Sequence, residues 1–406
     1  MDFSYPDFAE RTRAEVRAFL DANLPEGWVG VGALAGAERE EFVAEWRTKL
    51  YEAGLLAISW PKEYGGGGRT MIDELVVAEE LTRAGAPLGG PNDVFSIHML
   101  GNTLLMWGTE EQKQHFLPRA LSGEDVWCQG YSEPDAGSDL ANVGTKAILD
   151  GDEWILNGQK IWTSAGQLAN WIFVIARTEP ELPQHKGLSF LLVPMDQEGV
   201  EVRPIKMMSG PSEFNETFFS DARTGKDHIV GQRGDGWRVA MTLLGFERGK
   251  DAAIAPIGFS GELDRLFAMA RERGAADDPA IRERLVKAWE RVELMRFMGY
   301  QALTRFMAGD APGPDAALTK IWWSEHHTET TELAMDILGA DGLVLDGEGS
   351  YNAFRHDAKG APNSTGSWNS VFQNARAGTI YAGTSEVQRN IVGEMVLGLP
   401  KEPRPS

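Results

Sequence analysis

The chain has 406 residues, of which 42% are apolar, enough to build a sizeable core and more than one domain. It carries 60 acidic residues against 39 basic ones, a formal net charge of −21. Because an anionic surface of this strength repels phosphate, the charge argues against nucleic acid or an anionic membrane face as a partner.

Cysteine content and hydropathy are typical of an intracellular protein. Cys128 is the single cysteine, which excludes internal disulfides and a cysteine zinc cage and fits a reducing cytosol. The first residues are acidic and lack the apolar core of a secretory signal. The longest apolar runs, such as WIFVIA at 171–176, have the length of a strand and are too short to span a membrane. We therefore expect a large, soluble, cytoplasmic enzyme.

Residues 1–125 show the periodicity of helices and are predicted to form an N-terminal helical domain. Apolar residues recur at helical spacing at 16–24, 38–56, 71–84 and 93–107. The segment WPKEYGGGG interrupts this pattern with four consecutive glycines. Thr109 and Gln112 have the spacing of a capping box, which predicts a further helix that ends near Pro118.

Residues 126–235 change to short segments rich in Val, Ile, Phe and Trp, separated by turn signals such as Asn157-Gly158. These segments are 145–149, 153–156, 171–178, 187–194, 200–205 and 214–219. Short strands at this spacing predict a middle domain built as an antiparallel β-barrel, with a sandwich as the alternative.

Residues 236–400 return to helical periodicity and predict a C-terminal four-helix bundle. Its helices are expected at 236–273, 280–309, 314–338 and 384–397. The region 346–375, rich in Gly, Asn and Ser, is predicted to be a loop, and the tail 401–406 to be disordered. The predicted fold class is therefore α+β, mostly α, with helical, β and helical domains in that order.

Several common catalytic motifs are absent from the sequence. It contains no GxxxxGK[ST] phosphate loop, no GxGxxG after a strand, no HExxH and no GxSxG. His326-His327 is the one adjacent histidine pair, and neighbouring side chains on a helix point about 100° apart. We therefore expect a solvated pair here and no metal site.

Two segments of the middle region could carry chemistry. GYSEPDAGSDLANV, 130–143, places small and hydroxyl residues on an irregular connection, which can present N–H groups and hydroxyls to a planar polar ligand or a phosphate. An ordinary Ser/Asp/Gly turn is the alternative. In LNGQKIWTSAGQLANW, 156–171, Trp162 and Ser164 would share one face of a strand. Trp162 could equally be a core residue.

Taken together, these motifs resemble the acyl-CoA dehydrogenase family. GYSEPDAGSD resembles its first signature and QKIWTSAG its flavin-facing strand. WPKEYGGGG, TFFSDARTGKDHIVGQRGDGW and IYAGTSEVQRNIVGEMVLGLP resemble its N-terminal loop, the end of its β domain and its second signature, in the family's order. Within the family the chain is most similar to bacterial, especially actinobacterial, members that include sterol side-chain dehydrogenases.

The resemblance implies a fold and a reaction. Members have N-terminal helices, a middle β domain and a C-terminal four-helix bundle, and they bind FAD. They oxidise an acyl-CoA thioester to the trans-2-enoyl-CoA, as in fatty-acid β-oxidation. A carboxylate takes the α-proton, the β-hydrogen leaves as hydride to flavin N5, and an electron-transferring flavoprotein receives the electrons. A homodimer, a homotetramer or a heteromer with a related subunit is implied as the assembly.

The resemblance also assigns site residues by motif. Those implied to contact FAD are Gln129, Tyr131, Ser132, Gly137, Ser138, Trp162, Ser164, Thr384, Glu386, Arg273 and Gly339. Those implied to contact the substrate are Ser138, Arg248, Ala382 and Gly383. The family usually has Gln where Glu386 stands.

The catalytic base is the informative departure from the family pattern. Many members carry the base in a YEGT motif, but this chain has Ala382 at the glutamate position. A subset places the base on a bundle helix, where this chain has Glu247 followed by Arg248. We therefore expect Glu247 to be the base and the Ala382 N–H to polarise the thioester carbonyl. A solvated Glu247–Arg248 pair on the helix surface is the alternative.

Two FAD-contact motifs of the bundle are weakened here. The family's Arg-x-x-Phe-Gly is reduced to a segment containing Arg273, and Asp336 replaces the glutamine that precedes its glycine motif. Two alternatives therefore stay open beside the acyl-CoA dehydrogenase. One is a subunit of a heteromeric enzyme with a structural or FAD-sharing role, and the other is an oxidase or monooxygenase on the same fold.

Overall fold

The computed structural model describes residues 5–34, 36–307, 313, 316–343 and 368–401, and gives 246–253 and 306–307 by their backbone alone. In this part of the chain, helices precede and follow one eight-stranded sheet. The predicted fold class, helical then β then helical, is confirmed. No helix among the described residues is long and apolar enough to cross a membrane.

The N-terminal region is helical, as predicted. Its helices are α1 (Asp7–Asn23), α2 (Gly36–Glu52), α3 (Met71–Arg83), a π-helical segment Val94–Gly101 that continues into α4 (Asn102–Trp107), and α5 (Glu110–Ser122). The predicted end of α5 near Pro118 is wrong, because the helix continues through this proline to Ser122. In the glycine segment a Cβ on Gly66 would lie 2.3 Å from the carbonyl oxygen of Trp60, so the chain needs glycine there.

The predicted capping box begins α5 and also connects the N-terminal helices to the middle region. The Thr109 hydroxyl accepts from the Gln112 N–H at 3.2 Å, and Gln112 Oε1 accepts from the Thr109 N–H at 3.1 Å. The buried Gln112 amide also donates to the carbonyls of Asp227 at 2.7 Å and Ile229 at 2.8 Å. One side chain therefore caps the helix and holds the end of the middle region against it.

All six predicted strands are present in the middle region, together with two shorter ones. The strands are β1 (Trp127–Gly130), β2 (Lys146–Asp150), β3 (Glu153–Lys160), β4 (Trp171–Arg177), β5 (Leu188–Pro194), β6 (Val200–Ile205), β7 (Phe214–Gly225) and β8 (Ile229–Val230). Their order is β6-β7-β3-β2-β4-β5-β8, with β1 paired to β4.

The predicted antiparallel barrel is wrong in two respects. The sheet stays open, with β6 and β8 at the ends of the strand order. It is also mixed, because β1 runs parallel to β4, and β2 and β4 meet in parallel at Lys146 and Arg177. A parallel pair joins strands distant in sequence, which short-range turn signals do not reveal.

Strand β4 is buried on both faces and separates two cores. Phe173 and Ile175 belong to a core shared with the N-terminal helices, and Ile172 and Val174 to a second core on the other side of the sheet. The uninterrupted apolar run that predicted this strand follows from this double burial.

The C-terminal region is a helical bundle, as predicted. Its described helices are α6 (Gly236–Glu272), α7 (Pro279–Met307), α8 (Ala316–Leu338), α9 (Trp368–Gly378) and α10 (Ser385–Ile391), which a π-helical turn extends over Val392–Val396. The prediction of a loop over 346–375 is wrong from Trp368 onward, since α9 packs Trp368 into the bundle core. Residues 346–367 and most of the predicted tail lie outside the described residues.

Helix α6 connects the two halves of the molecule. Val239 and Leu243 near its start belong to the core shared by the N-terminal helices and the sheet, whereas Phe259 and Leu266 belong to the bundle core. Position 247 lies on the helix between these two packed parts.

The double role of Gln112 gives a stability prediction. Thr109→Ala removes one cap and should lower the free energy of unfolding by about 1 kcal/mol. Gln112→Ala should cost about 2–3 kcal/mol, because it also leaves two carbonyls unpaired. Urea unfolding of both variants tests this, with Gln114→Ala on the exposed face of α5 as control. If Gln112→Ala costs no more than Thr109→Ala, the role of Gln112 in holding the middle region is wrong.

Candidate active site

The first candidate segment begins where β1 ends. At Gly130 an added Cβ would lie 2.8 Å from the Ile172 side chain, so β1 packs closely on β4 at this point. Gln129 is half-buried on β1. The Tyr131 ring is buried edge-on to Phe173, with ring centroids 6.0 Å apart. The Tyr131 ring therefore supports the loop from within the core.

Beyond this anchor the segment is an irregular connection, as predicted. Glu133 and Ala136 exchange two backbone hydrogen bonds, of 3.1 and 3.0 Å. Ser132 is half-buried, while Gly137 and Ser138 are exposed. The loop thus presents hydroxyls and backbone groups at the protein surface.

The second candidate segment differs from its prediction. Trp162 follows β3 instead of lying within a strand, and its φ of 63° is left-handed, so strand alternation does not place it beside Ser164. The alternative that Trp162 is a core residue is also wrong, because its side chain is 56% exposed. Its ring contacts Phe214 edge-on, at a centroid distance of 6.0 Å. An indole face is therefore held at the surface.

The residues after Trp162 are fixed to β7. Buried Thr163 and Asn215 exchange two backbone hydrogen bonds of 3.0 Å, and the Thr217 hydroxyl donates to the Thr163 hydroxyl at 3.1 Å. Ala165, with a φ of 49°, donates its N–H to the Glu213 carbonyl at 2.8 Å. The turn that carries half-buried Ser164 is therefore rigidly supported from below.

The fold brings these two segments together. The Ile161 N–H donates to the Ser132 carbonyl at 2.9 Å, which places the start of the first loop beside the end of β3. The buried Lys160 ammonium also donates to the Tyr131 carbonyl at 3.0 Å. From the N-terminal region, the Asn92 amide donates to the Ala165 carbonyl at 3.3 Å.

Sequence reasoning missed Lys160 and Asn92. Alternation along β3 could have found Lys160, because it has the same parity as the buried residues Trp154 and Leu156. No sequence signal identifies Asn92, whose partners lie more than 30 residues away.

The third segment is a tight turn before α10. Ala382 and Gly383 have φ values of 52° and 87°, and the buried Gln388 amide donates to the Ala382 carbonyl at 2.9 Å. Thr384 caps the helix by accepting from the Val387 N–H at 3.2 Å. The Ala382 N–H thus lies in a turn held by its own helix.

Within one chain, this third segment lies against the bundle. The Tyr381 ring is 6.1 Å from that of Trp323 on α8, and Arg389 pairs with Glu325 on the same helix. Hydrogen bonds therefore join the first and second segments directly, whereas the third segment packs on α8.

Backbone strain is concentrated in the candidate segments. Of the four described residues other than glycine with positive φ, three are Trp162, Ala165 and Ala382, and the fourth is Asp221. Such conformations cost about 1–3 kcal/mol each and persist where the surroundings impose them, often at functional sites. The two turns are therefore built to hold particular backbone positions.

The bundle residues implied to contact FAD meet at the ends of α6 and α8. Arg273 pairs with Asp341 at 2.8 Å and donates to the Leu338 carbonyl at 3.4 Å, beside left-handed Gly339. Asp336, at the usual glutamine position, pairs with Arg284 on α7 at 2.6 Å. In this chain the Arg273 guanidinium thus has an internal carboxylate partner.

Glu247 and Arg248 lie on α6, and their side chains are outside the described residues. Their predicted roles stay predictions.

The environment shifts the pKa of two further carboxyl groups near the second and third candidate segments. Burial raises the pKa of Glu213 to about 7, so this group changes charge near neutral pH next to the Ala165 turn. Hydrogen bonds from its own N–H and from Thr384 lower the pKa of the exposed Glu386 carboxyl. Glu386 is therefore an anion at neutral pH.

The prediction that the histidine pair is solvated is wrong. His326 and His327 are both 1% exposed, because α8 packs between other bundle helices. His327 pairs with the buried Glu262 at 3.2 Å, and burial lowers the pKa of His326 to about 3. The described residues contain no cluster of three or more side chains suited to a metal ion.

Comparison with solved structures and known proteins agrees with this architecture. The steroid acyl-CoA dehydrogenase (ACAD) Tcur3481-Tcur3483 is 33% identical, with a TM-score of 0.80 over 99% of this chain and 100% of its own. The ChsE4-ChsE5 complex of Mycobacterium tuberculosis is 31% identical, with a TM-score of 0.75 over 99% of this chain and 100% of its own. Acyl-CoA dehydrogenase IpdE1 of Mycobacterium tuberculosis is 44% identical over 97% of this chain and 98% of the relative.

Three family models match the chain in order. The acyl-CoA dehydrogenase N-terminal domain matches residues 7–124, the middle domain 128–222 and the C-terminal domain 234–397. The matches cover nearly the whole chain and agree with its helical, β and helical regions. The chain belongs to the acyl-CoA dehydrogenase family and is an oxidoreductase of that family.

Proposed function

We propose that the chain oxidises an acyl-CoA thioester to the trans-2-enoyl-CoA, with FAD as cofactor and Glu247 as base. The observation that carries this proposal is the exposed indole of Trp162, held on a strained turn beside the Ser132 loop. Single exposed apolar side chains are common, but this indole also stands on a left-handed backbone that hydrogen bonds at Ile161 and Thr163 hold in place, and such imposed conformations concentrate at ligand sites.

The side chains around this plane suit a flavin. Ser132, Ser138 and Ser164 supply hydroxyls, which match the polar edge of a flat heterocycle. Thr384 and Glu386 would approach the ribose and phosphate part. Since Glu386 is an anion, we assign it to ribose hydroxyls in preference to phosphate.

The chain's own residues would divide the work in the reaction. Glu247 would take the α-proton, and the pKa of a carboxylate in an apolar pocket rises toward the working pH. The Ala382 N–H would stabilise the negative charge that develops on the thioester oxygen, while Arg248 and Ser138 would hold the CoA portion. Bound FAD would supply the two-electron oxidant, accepting the β-hydrogen as hydride at N5. The electrons would then pass to an electron-transferring flavoprotein.

The substrate class follows from the relatives by analogy alone. The solved neighbour at 33% identity is described as a steroid acyl-CoA dehydrogenase. We therefore propose a bulky, steroid-type acyl-CoA as the first substrate to assay, next to straight-chain and branched acyl-CoAs.

The role of Glu247 gives the central test. Glu247→Gln should leave FAD bound and slow anaerobic bleaching of the flavin band by about 10²–10⁴-fold, because a general base is lost. Stopped-flow spectroscopy with the acyl-CoA that reduces the wild type measures this. Glu290→Gln, an exposed glutamate on α7, is the control. Unchanged reduction in Glu247→Gln would refute the assignment, and steady oxygen consumption with substrate would favour an oxidase.

The ion pairs of the bundle favour one second candidate, a heteromeric enzyme. Because Arg273 is engaged by Asp341 and Asp336 by Arg284, these groups would not reach a neighbouring subunit's FAD without breaking a pair. We infer that this chain carries the base, and that a related subunit completes the cofactor site.

This candidate predicts the cofactor content of the chain purified alone. It should hold less than one FAD per chain, and Asp341→Ala should raise that content by freeing Arg273. Absorbance of FAD against protein mass, with native mass spectrometry for subunit composition, measures both. Asp277→Ala, an exposed acid near the same helix end, is the control. One FAD per chain in the wild-type homo-oligomer would rule the heteromer out.

A further inference from the structure

A lysine is buried at the end of β3, immediately before the exposed Trp162 turn. The Lys160 side chain is fully buried, and its ammonium donates to Glu133 Oε1 at 2.7 Å and to the Tyr131 carbonyl at 3.0 Å. Both acceptors belong to the first candidate loop. One cation therefore connects the strand that leads to Trp162 with the loop that carries Ser132.

Its carboxylate partner organises that loop. Glu133 accepts the Gly144 N–H at 2.6 Å and the Thr145 N–H at 2.9 Å, in addition to the Lys160 ammonium. Glu133 stands near the start of the loop, whereas Gly144 and Thr145 stand at its end. A single carboxylate thus closes both ends of the segment that carries Gly137 and Ser138.

The backbone on the other side of Lys160 completes the connection. Ile161 donates to the Ser132 carbonyl at 2.9 Å, and Trp162 follows in its left-handed conformation. The contacts that fix the Ser132 loop relative to the Trp162 ring are therefore made by Lys160 and Ile161, the two residues that precede Trp162.

Both partners are charged at neutral pH. Burial lowers the pKa of Lys160 to about 8, although Glu133 opposes the shift. Burial also tends to raise the pKa of Glu133, but the Lys160 charge and the hydrogen bonds outweigh it and lower the pKa overall. A buried ion pair is weak evidence for stability, since well-packed apolar residues often stabilise a fold as well or better. The role of the Lys160–Glu133 pair is better explained by the segments that it connects.

The geometry points to Lys160 and Glu133 as positioning residues that hold the two flavin-facing segments in register, an inference that rests on the function proposed above. Their contacts are with each other and with the backbone of the loop. They act through Ser132, whose loop they close, and through Trp162, whose strand end they fix.

The test compares Lys160→Met, Glu133→Gln and the double variant with wild type. Each single variant should weaken FAD binding about tenfold or more, because a charge-assisted hydrogen bond is lost. Each should also change the visible circular dichroism of the bound flavin, a signature of its local surroundings. The double variant should lose little beyond either single change, because both partners serve one contact. Glu133→Gln keeps the side-chain shape and serves if Lys160→Met does not fold.

A matched control separates positioning from general stability. Arg13→Met breaks a buried pair with Glu79 in the N-terminal helices, remote in sequence from both segments. It should lower the melting temperature and leave the flavin dichroism unchanged. Hydrogen exchange on flavin-free protein should show faster exchange of the Gly144 and Thr145 amides in the Lys160 and Glu133 variants only.

The outcomes distinguish this inference from the proposed function. If wild type binds FAD and the variants bind it with the same affinity and dichroism, the pair is merely structural and the inference is wrong, while the proposed function stands. If wild type binds no FAD alone or with its partner subunit, both fail, whatever the exchange data show.

Discussion

The double burial of β4 is the constraint on which the rest of the structure depends. Its side chains alternate between two cores. One core is shared with the N-terminal helices and the start of α6, and the other lies on the opposite face of the sheet. Because neither face can slip without exposing a core, the register of β4 is fixed. Its parallel neighbour β1 is fixed with it, down to the close contact of Gly130 on Ile172. The candidate loop therefore leaves the sheet at a strand pair whose register is fixed.

From that place, the site is built by connections between segments more than by any one motif. The loop after β1 is joined to the end of β3 through Lys160 and Ile161, and the Trp162 turn rests on β7 through Thr163. Left-handed backbone at Trp162 and Ala165 would relax if these supports were absent. The strained backbone thus persists because these hydrogen bonds hold it, and together they keep the Trp162 indole exposed.

Local patterns in the sequence predict most of the fold. Period-3.6 stretches gave the helices, the Thr109 capping box gave the start of α5, and the apolar run 171–176 gave β4. The predictions are wrong where contacts between residues distant in sequence determine the structure. The parallel pairing of β1 with β4 and the open sheet depend on partners some 40 residues apart. The burial of His326 depends on three packed helices, and no local signal reports that.

The candidate site shows the same division, and its third segment keeps its turn without a glutamate at position 382. The signatures locate the segments, but the Trp162 conformation and the Asn92 contact come from tertiary structure. In the turn before α10, Gln388 holds the Ala382 carbonyl, and a Cβ on Gly383 would lie 2.4 Å from Gln388 Nε2. The turn is thus maintained without help from the side chain at 382. An alanine there preserves the backbone N–H, so the turn that we propose for the thioester carbonyl keeps its shape with the proposed base on α6.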